Sequence, residues 1–230
     1  MYQYYIQQIV NKYNNSVIGY ELLLRQRVEN GWGPVTNFAD VPAEIIAKKI
    51  VTIARQLYTK VPFLSVNVNR TQLMNQEVVK ALIKIQKSLR PVQIQVELTE
   101  DDPETTISEK HVMAQLQYFK AHGMTVSIDD VDCGCNTQDQ VNLLLPFVNE
   151  IKFALQNFGQ SVYLPEIKQR MLFWRDFATQ HQIRFILEGI ENEAIDHFID
   201  HFDIDIRQGY FYEKPHAIAA RPGWQNLKDS

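Results

Sequence analysis

A TIM-like (β/α)8 barrel with an antiparallel N-terminal strand is the fold class this sequence predicts, and three observations carry that expectation. Apolar residues alternate between period two and period 3.6 along the chain, the pattern of strands interleaved with helices. Eight strand candidates can be counted, the number that closes such a barrel. Three of those strands carry one apolar and one polar face, which in a helix-covered barrel turns the polar face inward.

The opening reads as a hairpin, with strands over Tyr4–Val10 and Val17–Leu24 flanking the turn-forming Asn14-Asn15-Ser16. Strands joined by so short a turn must be antiparallel. Helical periodicity then covers Ala43–Tyr58, Glu77–Ser88, Ser108–His122, Gln138–Leu144, Leu164–His181 and Glu193–His201. Between these lie strand candidates at Phe63–Val68, Val92–Leu98, Met124–Ile128, Val148–Phe153, Arg184–Leu187 and Ile204–Arg207. Six strands thus follow helices as crossover units do.

At 230 residues and 45% hydrophobic composition, the chain has the size and core content of one such barrel, read as a single stand-alone domain over 1–230. No stretch approaches the ~18 uninterrupted apolar residues of a membrane span, and Met1-Tyr2-Gln3-Tyr4 lacks a signal peptide's regions, so the expected location is cytoplasmic. A net charge of −4 and a pI near 5.9 leave no broad footprint for a nucleic acid polymer. Any small anionic ligand would need local cations. The two cysteines, Cys133 and Cys135, enclose one residue, too short a loop for a structural staple, and read as free thiols of a reducing compartment.

The polar strand faces point to a site. Ser65, Asn67 and Asn69 oppose Leu64, Val66 and Val68; Gln93, Gln95 and Glu97 oppose Val92, Ile94, Val96 and Leu98; Thr125, Ser127 and Asp129 oppose Met124, Val126 and Ile128. Each polar row ends in a metal-capable residue near the strand's C-terminal end, where barrel enzymes place their chemistry. Glu21, Glu97, Asp129, Asp130 and Glu188, with Asn67 beside them, would then converge. Gathered carboxylates raise one another's pKa unless cations intervene. Two divalent ions nearly cancel the charge, and ligation by oxygen alone suits Mg²⁺ or Mn²⁺.

Along nearly its whole length, from Tyr5 to Pro215, the sequence resembles the EAL domain family. The resemblance rests on Tyr5-Ile6-Gln7-Gln8-Ile9-Val10, with Gln8 where a proline is usual, and on Gly19-Tyr20-Glu21-Leu22-Leu23-Leu24-Arg25, with Leu22 for the alanine of the naming motif. Val66-Asn67-Val68-Asn69, Val96-Glu97-Leu98-Thr99-Glu100, Ile128-Asp129-Asp130, Ile151-Lys152, Leu187-Glu188-Gly189-Ile190-Glu191 and Gln208-Gly209-Tyr210 follow in the family's order. The resemblance implies hydrolysis of cyclic di-GMP to linear 5'-pGpG with two divalent ions, Mg²⁺ or Mn²⁺. It implies metal ligation by Glu21, Asn67, Glu97, Asp129, Asp130 and Glu188. Lys152 would lie beside the attacking water and the phosphate, Gln208 and Glu191 would position that water or brace the ligands, and Gln7, Leu23 and Arg25 would contact the dinucleotide. Glu100 would anchor the loop after Asp130. A homodimer is the assembly to look for, and a nucleotide receptor or a module for a protein partner is the alternative should catalysis be lost.

Two positions depart from the family. The loop that usually reads Asp-Asp-Phe-Gly-Thr-Gly-Tyr-Ser-Ser reads here Asp129-Asp130-Val131-Asp132-Cys133-Gly134-Cys135-Asn136-Thr137. In the family it helps hold the second metal and connects to the dimer interface, so the change bears on turnover and on dimerisation. Asp132 replaces the glycine and would have to adopt positive φ, which aspartate does more readily than most residues. Ala154 replaces the aspartate that commonly follows the lysine by two positions. His197 and His201, four apart, have zinc-binding spacing but no third ligand or neighbouring general base, and read as an exposed helix face. Glu100-Asp101-Asp102 before Pro103 reads as a solvated loop, and Phe173 and Trp174 as core or interface contacts.

Overall fold

The computed structural model describes residues 1–38, 41–57, 61–101, 106–158 and 162–218. The expected helix end at Tyr58, the residues Asp102 and Pro103, and the tail from 219 onward lie outside this set.

The chain opens with β1 (Tyr2–Asn11) and β2 (Ser16–Val28), joined through Asn15 at φ 54°, with the Asn14 side chain accepting from the Ser16 amide. β2 continues into a short partner, β3 (Gly31–Pro34). Thereafter come α1 (Ala43–Leu57), β4 (Phe63–Val68), α2 (Arg70–Met74), α3 (Gln76–Leu89), β5 (Gln93–Leu98), α4 (Glu109–Ala121), β6 (Thr125–Ile128), α5 (Gln138–Leu144), β7 (Glu150–Ala154), α6 (Pro165–His181), β8 (Arg184–Glu188), α7 (Glu193–Ile199), β9 (Ile206–Arg207) and β10 (His216–Ala217). All eight expected strands and all six expected helices form. The sequence reading missed β3, β10 and α2.

Local signals explain the boundaries. Asn69 and Gln72 make a reciprocal capping box at the start of α2, and Asn75 caps α3 by accepting from the amides of Glu77 and Val78. Pro165 opens α6, where its missing N–H costs nothing, and Gln182 closes it in the left-handed region at φ 57°. In α1 the buried Ile46, Ile50, Ile53, Ala54 and Leu57 share one stripe that packs on the sheet.

The sheet closes. Its pairing runs β1-β2-β4-β5-β6-β7-β8-β9 and returns from β9 to β1, with β3 beside β2 and β10 beside β1. β1 is antiparallel to its neighbours and β3 to β2, while β2 and β4 through β9 are parallel around the barrel. Outward residues such as Leu64, Val66, Ile94, Val96, Val126, Ile128, Ile151 and Leu187 join one continuous core with the helices. Each such side chain, fully buried, stabilises the fold by about 1.5–3 kcal/mol.

Inward residues are mostly polar, as the strand faces predicted; Leu23 and Ala154 are apolar, and Ile9, Phe63 and Ile186 form a separate apolar cluster. At the N-terminal end of the parallel strands, buried Glu150 ion-pairs with Arg184 at 2.5 Å and accepts from Gln95. Arg184 also donates to Gln95 at 3.1 Å and lies over the Phe63 ring at 4.6 Å. Among the described residues, no helix is long and apolar enough to cross a membrane.

Gly19 on β2 faces Phe63 on β4, and a Cβ there would lie 2.5 Å from the ring. Gly19→Ala is expected to lower stability by about 1–3 kcal/mol through overpacking, read by urea unfolding. Combining it with Phe63→Leu should recover part of the loss; additive losses would show that the ring is not what the methyl meets.

Candidate active site

At the C-terminal ends of the parallel strands, five strands deliver charged groups to one point. Lys152, fully buried on β7, has its Nζ 3.2 Å from Glu97 of β5, 3.4 Å from Glu21 of β2 and 3.4 Å from Asp129 just past β6, and it pairs with Glu188 of β8. Glu97 is fully buried, and Glu21, Asp129 and Glu188 nearly so. Around them lies a shell of amides. Asn67 donates to Glu21 at 3.0 Å, and Gln208 donates to Glu21 at 2.6 Å and to Gln7 at 3.3 Å.

Four carboxylates around one ammonium leave a formal charge of −3, and Asp130 and Glu100 add to it nearby. Burial pushes Glu97 and Glu188 well above the usual carboxylate range, and neighbouring carboxylates push further against the opposing pull of Lys152. Burial likewise raises Asp129, and raises Asp130 to about 7 with the help of the Asp129 charge. Glu100 is raised by burial. In Glu21 burial is outweighed by Lys152 and by hydrogen bonds from Asn67 and Gln208, so its carboxyl lies below the ordinary value. Burial works against the charge on Lys152, but the four carboxylates hold it protonated far above the usual lysine range.

These residues fit divalent cations. The Asn67 Oδ1, Glu97 Oε1 and Asp130 Oδ1 atoms are buried without a hydrogen-bond partner, a costly state for an oxygen unless something positive faces it. Carboxylate oxygens of Glu100, Asp129 and Asp130 lie within 4.8 Å of one another. The donor set is oxygen alone, the choice of hard ions such as Mg²⁺ or Mn²⁺.

A cavity of about 420 Å³ opens over this cluster. Gln7, Glu21, Leu23, Arg25, Asn67, Glu100, Asp129, Asp130, Glu188, Glu191 and Gln208 line it, so eleven of the thirteen residues singled out from the sequence share one wall. Glu97 and Lys152 lie buried in the same cluster without lining the cavity. The cavity also takes Thr99, Gln156, Gly189, Tyr210 and Pro215, which the sequence reading missed. For Gln156 a signal existed, since it sits just past the end of β7, where a barrel places functional groups. Gly189 is needed as glycine: it has φ 77°, and a Cβ would meet the Gln156 Oε1 atom at 1.9 Å.

The divergent loop is held by its own contacts. Asp132 adopts φ 77°, as its replacement of a glycine required, and Asp130 itself has φ 44°. Asp132 ion-pairs with Arg170 of α6 at 2.6 Å, while buried Asn136 donates to the carbonyls of Leu98 and Asp129 and accepts from Arg70 at 3.0 Å. Glu100 anchors the loop through its backbone carbonyl, which accepts from the Cys135 amide at 2.9 Å, leaving its side chain beside Asp129 and Asp130. Cys133 and Cys135 are half-buried and in no disulfide, and burial raises the Cys133 thiol, with Asp130 adding to it. His197 and His201 are exposed on one helical face, away from the acidic cluster. Trp174 is buried and Phe173 exposed beside it.

Removing the ammonium should expose how the cluster is held. Lys152→Met in the presence of a chelator is expected to lose about 3–5 kcal/mol by urea unfolding, because buried like charges are left unopposed. Titrating Mg²⁺ or Mn²⁺ should return much of that stability and show tighter metal binding by calorimetry than in the parent. A variant as stable as the parent without metal would remove Lys152 as the organising counter-charge.

No curated protein sequence matches the chain. Among solved structures, the EAL enzyme Bd1971 in its cAMP- and cyclic di-GMP-bound form superposes with TM-score 0.78 at 20% identity, covering 94% of this chain and 62% of that one. The chain therefore spans about 62% of that relative's length. A standalone EAL protein from Vibrio cholerae O395, bound to cyclic di-GMP, gives TM-score 0.72 at 21% identity over 94% of this chain and 92% of that chain. A Klebsiella pneumoniae protein in complex with calcium and cyclic di-GMP gives 0.78 at 20% identity over 93% and 55%. At these identities the likeness shows the barrel fold. The family model described as EAL domain matches residues 2–215, and the chain belongs to the EAL domain family.

Proposed function

We propose that this chain is a metal-dependent cyclic di-GMP phosphodiesterase that opens one diester bond to give linear 5'-pGpG and so lowers the level of the second messenger. One observation carries this reading: an oxygen-only donor set with orphaned buried oxygens, charged to −3 even after Lys152 is counted, beneath a cavity that also holds a guanidinium. Membership of the EAL family and the cyclic di-GMP held by the Vibrio cholerae and Klebsiella pneumoniae proteins support the choice of substrate.

Glu21, Asn67, Glu97, Asp129, Asp130 and Glu188 would hold two ions, Mg²⁺ or Mn²⁺. When bound, such ions supply Lewis acidity toward a phosphoryl oxygen and lower the pKa of a water. The chain supplies the rest. Lys152, whose proton the surrounding carboxylates favour, fixes the four of them around it. Gln208 aligns Glu21 and Gln7 in one hydrogen-bonded chain along the cavity wall. Arg25 presents a planar fork suited to a phosphate or a base edge, with Gln7 and Leu23 beside it. Glu191, exposed on the rim, can brace a water without being buried itself. The same reading places the protein in the cytoplasm, where Cys133 and Cys135 stay reduced.

A second reading has its own observation. Ala154 puts a buried methyl at the end of β7, opposite Glu188, where the family commonly has a carboxylate. A cavity that binds the dinucleotide without cutting it would then make the chain a receptor or a partner-binding module.

Incubating the purified protein with cyclic di-GMP and either ion should yield the linear dinucleotide by ion-exchange chromatography. Chelation should abolish turnover, and Glu97→Gln or Lys152→Ala should lower kcat by roughly 10²-fold or more. Tight binding with no product under both ions would favour the receptor, and neither binding nor product would end the nucleotide reading.

A further inference from the structure

The barrel closes through a seam that strand pairing alone does not fill. β1 pairs with β10 at Tyr5 and Ile6 and with β9 at Val10 and Asn11. Between these, the stretch Gln7–Ile9 pairs on its other edge with β2 only. Side chains and loop backbone bridge the gap. The Gln8 amide donates to the Glu213 carboxylate at 2.8 Å, and the Gln8 side chain donates to the Tyr212 carbonyl at 2.9 Å. The Gln7 side chain donates to the Glu213 carbonyl at 2.9 Å.

These bonds reach the active site in one further step. Gln7 Oε1 accepts from Gln208, which also donates to Glu21 in the carboxylate cluster. The loop they clamp carries Gly209, Tyr210 and Pro215 along the cavity wall. Its far side is tied down by Tyr212, whose hydroxyl donates to buried Asp196, which in turn ion-pairs with Arg207 at 2.7 Å. Gln8 has a peptide N–H only because it is not a proline, and without Glu213 that donor would lack its partner.

We propose that Gln8 and Glu213 form a latch across the barrel seam and act as positioning residues: they fix Gln7, Gln208 and the Tyr210–Pro215 wall, and so set the affinity for the bound dinucleotide. Neither group reaches the reacting atoms. The ligand in this inference rests on the cyclic di-GMP reading; the latch does not.

The test uses the full chain and two readouts, with parent, Glu213→Ala, Glu213→Gln, Gln8→Pro and the Gln8→Pro/Glu213→Ala double variant. Amide hydrogen exchange in the ligand-free protein reads the latch, and KM and kcat for cyclic di-GMP read its consequence, with Kd by calorimetry in place of KM if the parent binds without turnover. Glu213→Ala is expected to speed exchange across residues 209–216 and to raise KM by about tenfold, the effect of a lost part-buried hydrogen bond to a charged group together with the 3.1 Å contact of Glu213 with His216, with kcat within about twofold. Glu213→Gln keeps an acceptor and should recover most of both changes. In the Gln8→Pro background the donor is already gone, so Glu213→Ala should add less than about twofold.

Unchanged exchange in Glu213→Ala overturns the latch whatever the activity. Faster exchange with an unmoved KM overturns the positioning role, and equal effects of Glu213→Ala in both backgrounds overturn the Gln8 partnership. If Gln8→Pro does not fold, the contrast between alanine and glutamine at 213 decides alone. A parent that neither binds nor cuts the nucleotide overturns the functional reading and the positioning role with it, while the exchange data still judge the latch.

Discussion

An ammonium buried among four carboxylates is the interaction around which this barrel is arranged. Each carboxylate comes from a different strand, so the cluster exists only when the sheet has closed and every register is right. Taking these charges out of water costs far more than one lysine returns. The remainder appears as raised carboxyl pKa values and as oxygens with no donor, both of which a pair of small hard cations would relieve. A surface site could solvate the same groups with water. The barrel interior offers these groups far less water, and that shortfall is the physical ground for proposing ions here.

Much of this was legible in the sequence, for reasons particular residues make plain. Asn67, Glu97 and Asp129 stand at the ends of alternating strands whose other faces are continuous aliphatic rows, and period two leaves no doubt about which side is inside. Lys152 is marked differently, as one charge between Ile151 and Phe153 in a strand buried at every position. What escaped was short or non-local. β9 and β10 have two residues each, too few for any period, and β10 went unread. Asn69 and Gln72 do form a capping signature, and reading it would have found α2. Glu213 and Tyr212 touch Gln8 across some two hundred positions of sequence, a proximity that only the closed sheet creates.

The loop after Asp130 illustrates how a backbone can be kept while its residues change. Positive φ at Asp132 is sterically unfavourable for a side chain, and an ion pair to Arg170 on α6 compensates part of that cost. Asn136 and Arg70 tie the returning strand of the loop to the ends of β5 and β6. Glu100 contributes its carbonyl to the same purpose, and Gly134 permits the approach, since a Cβ there would sit 2.2 Å from that oxygen. The loop therefore presents Asp130 to the cavity by contacts that use aspartate, asparagine and arginine where the family's pattern relies on Phe-Gly.

Along β8 the inward row reads Arg184, Ile186, Glu188, and the middle member meets Ile9 and Phe63 to span the barrel. On β8 this apolar rung lies between Arg184 of the charged floor and Glu188 of the acidic centre, while buried Ser127 on β6 stands beside Glu97 on one side and Glu150 on the other. The rung's three members come from β1, β4 and β8, so losing volume at any one of them would loosen the packing inside the barrel without removing a single charged group.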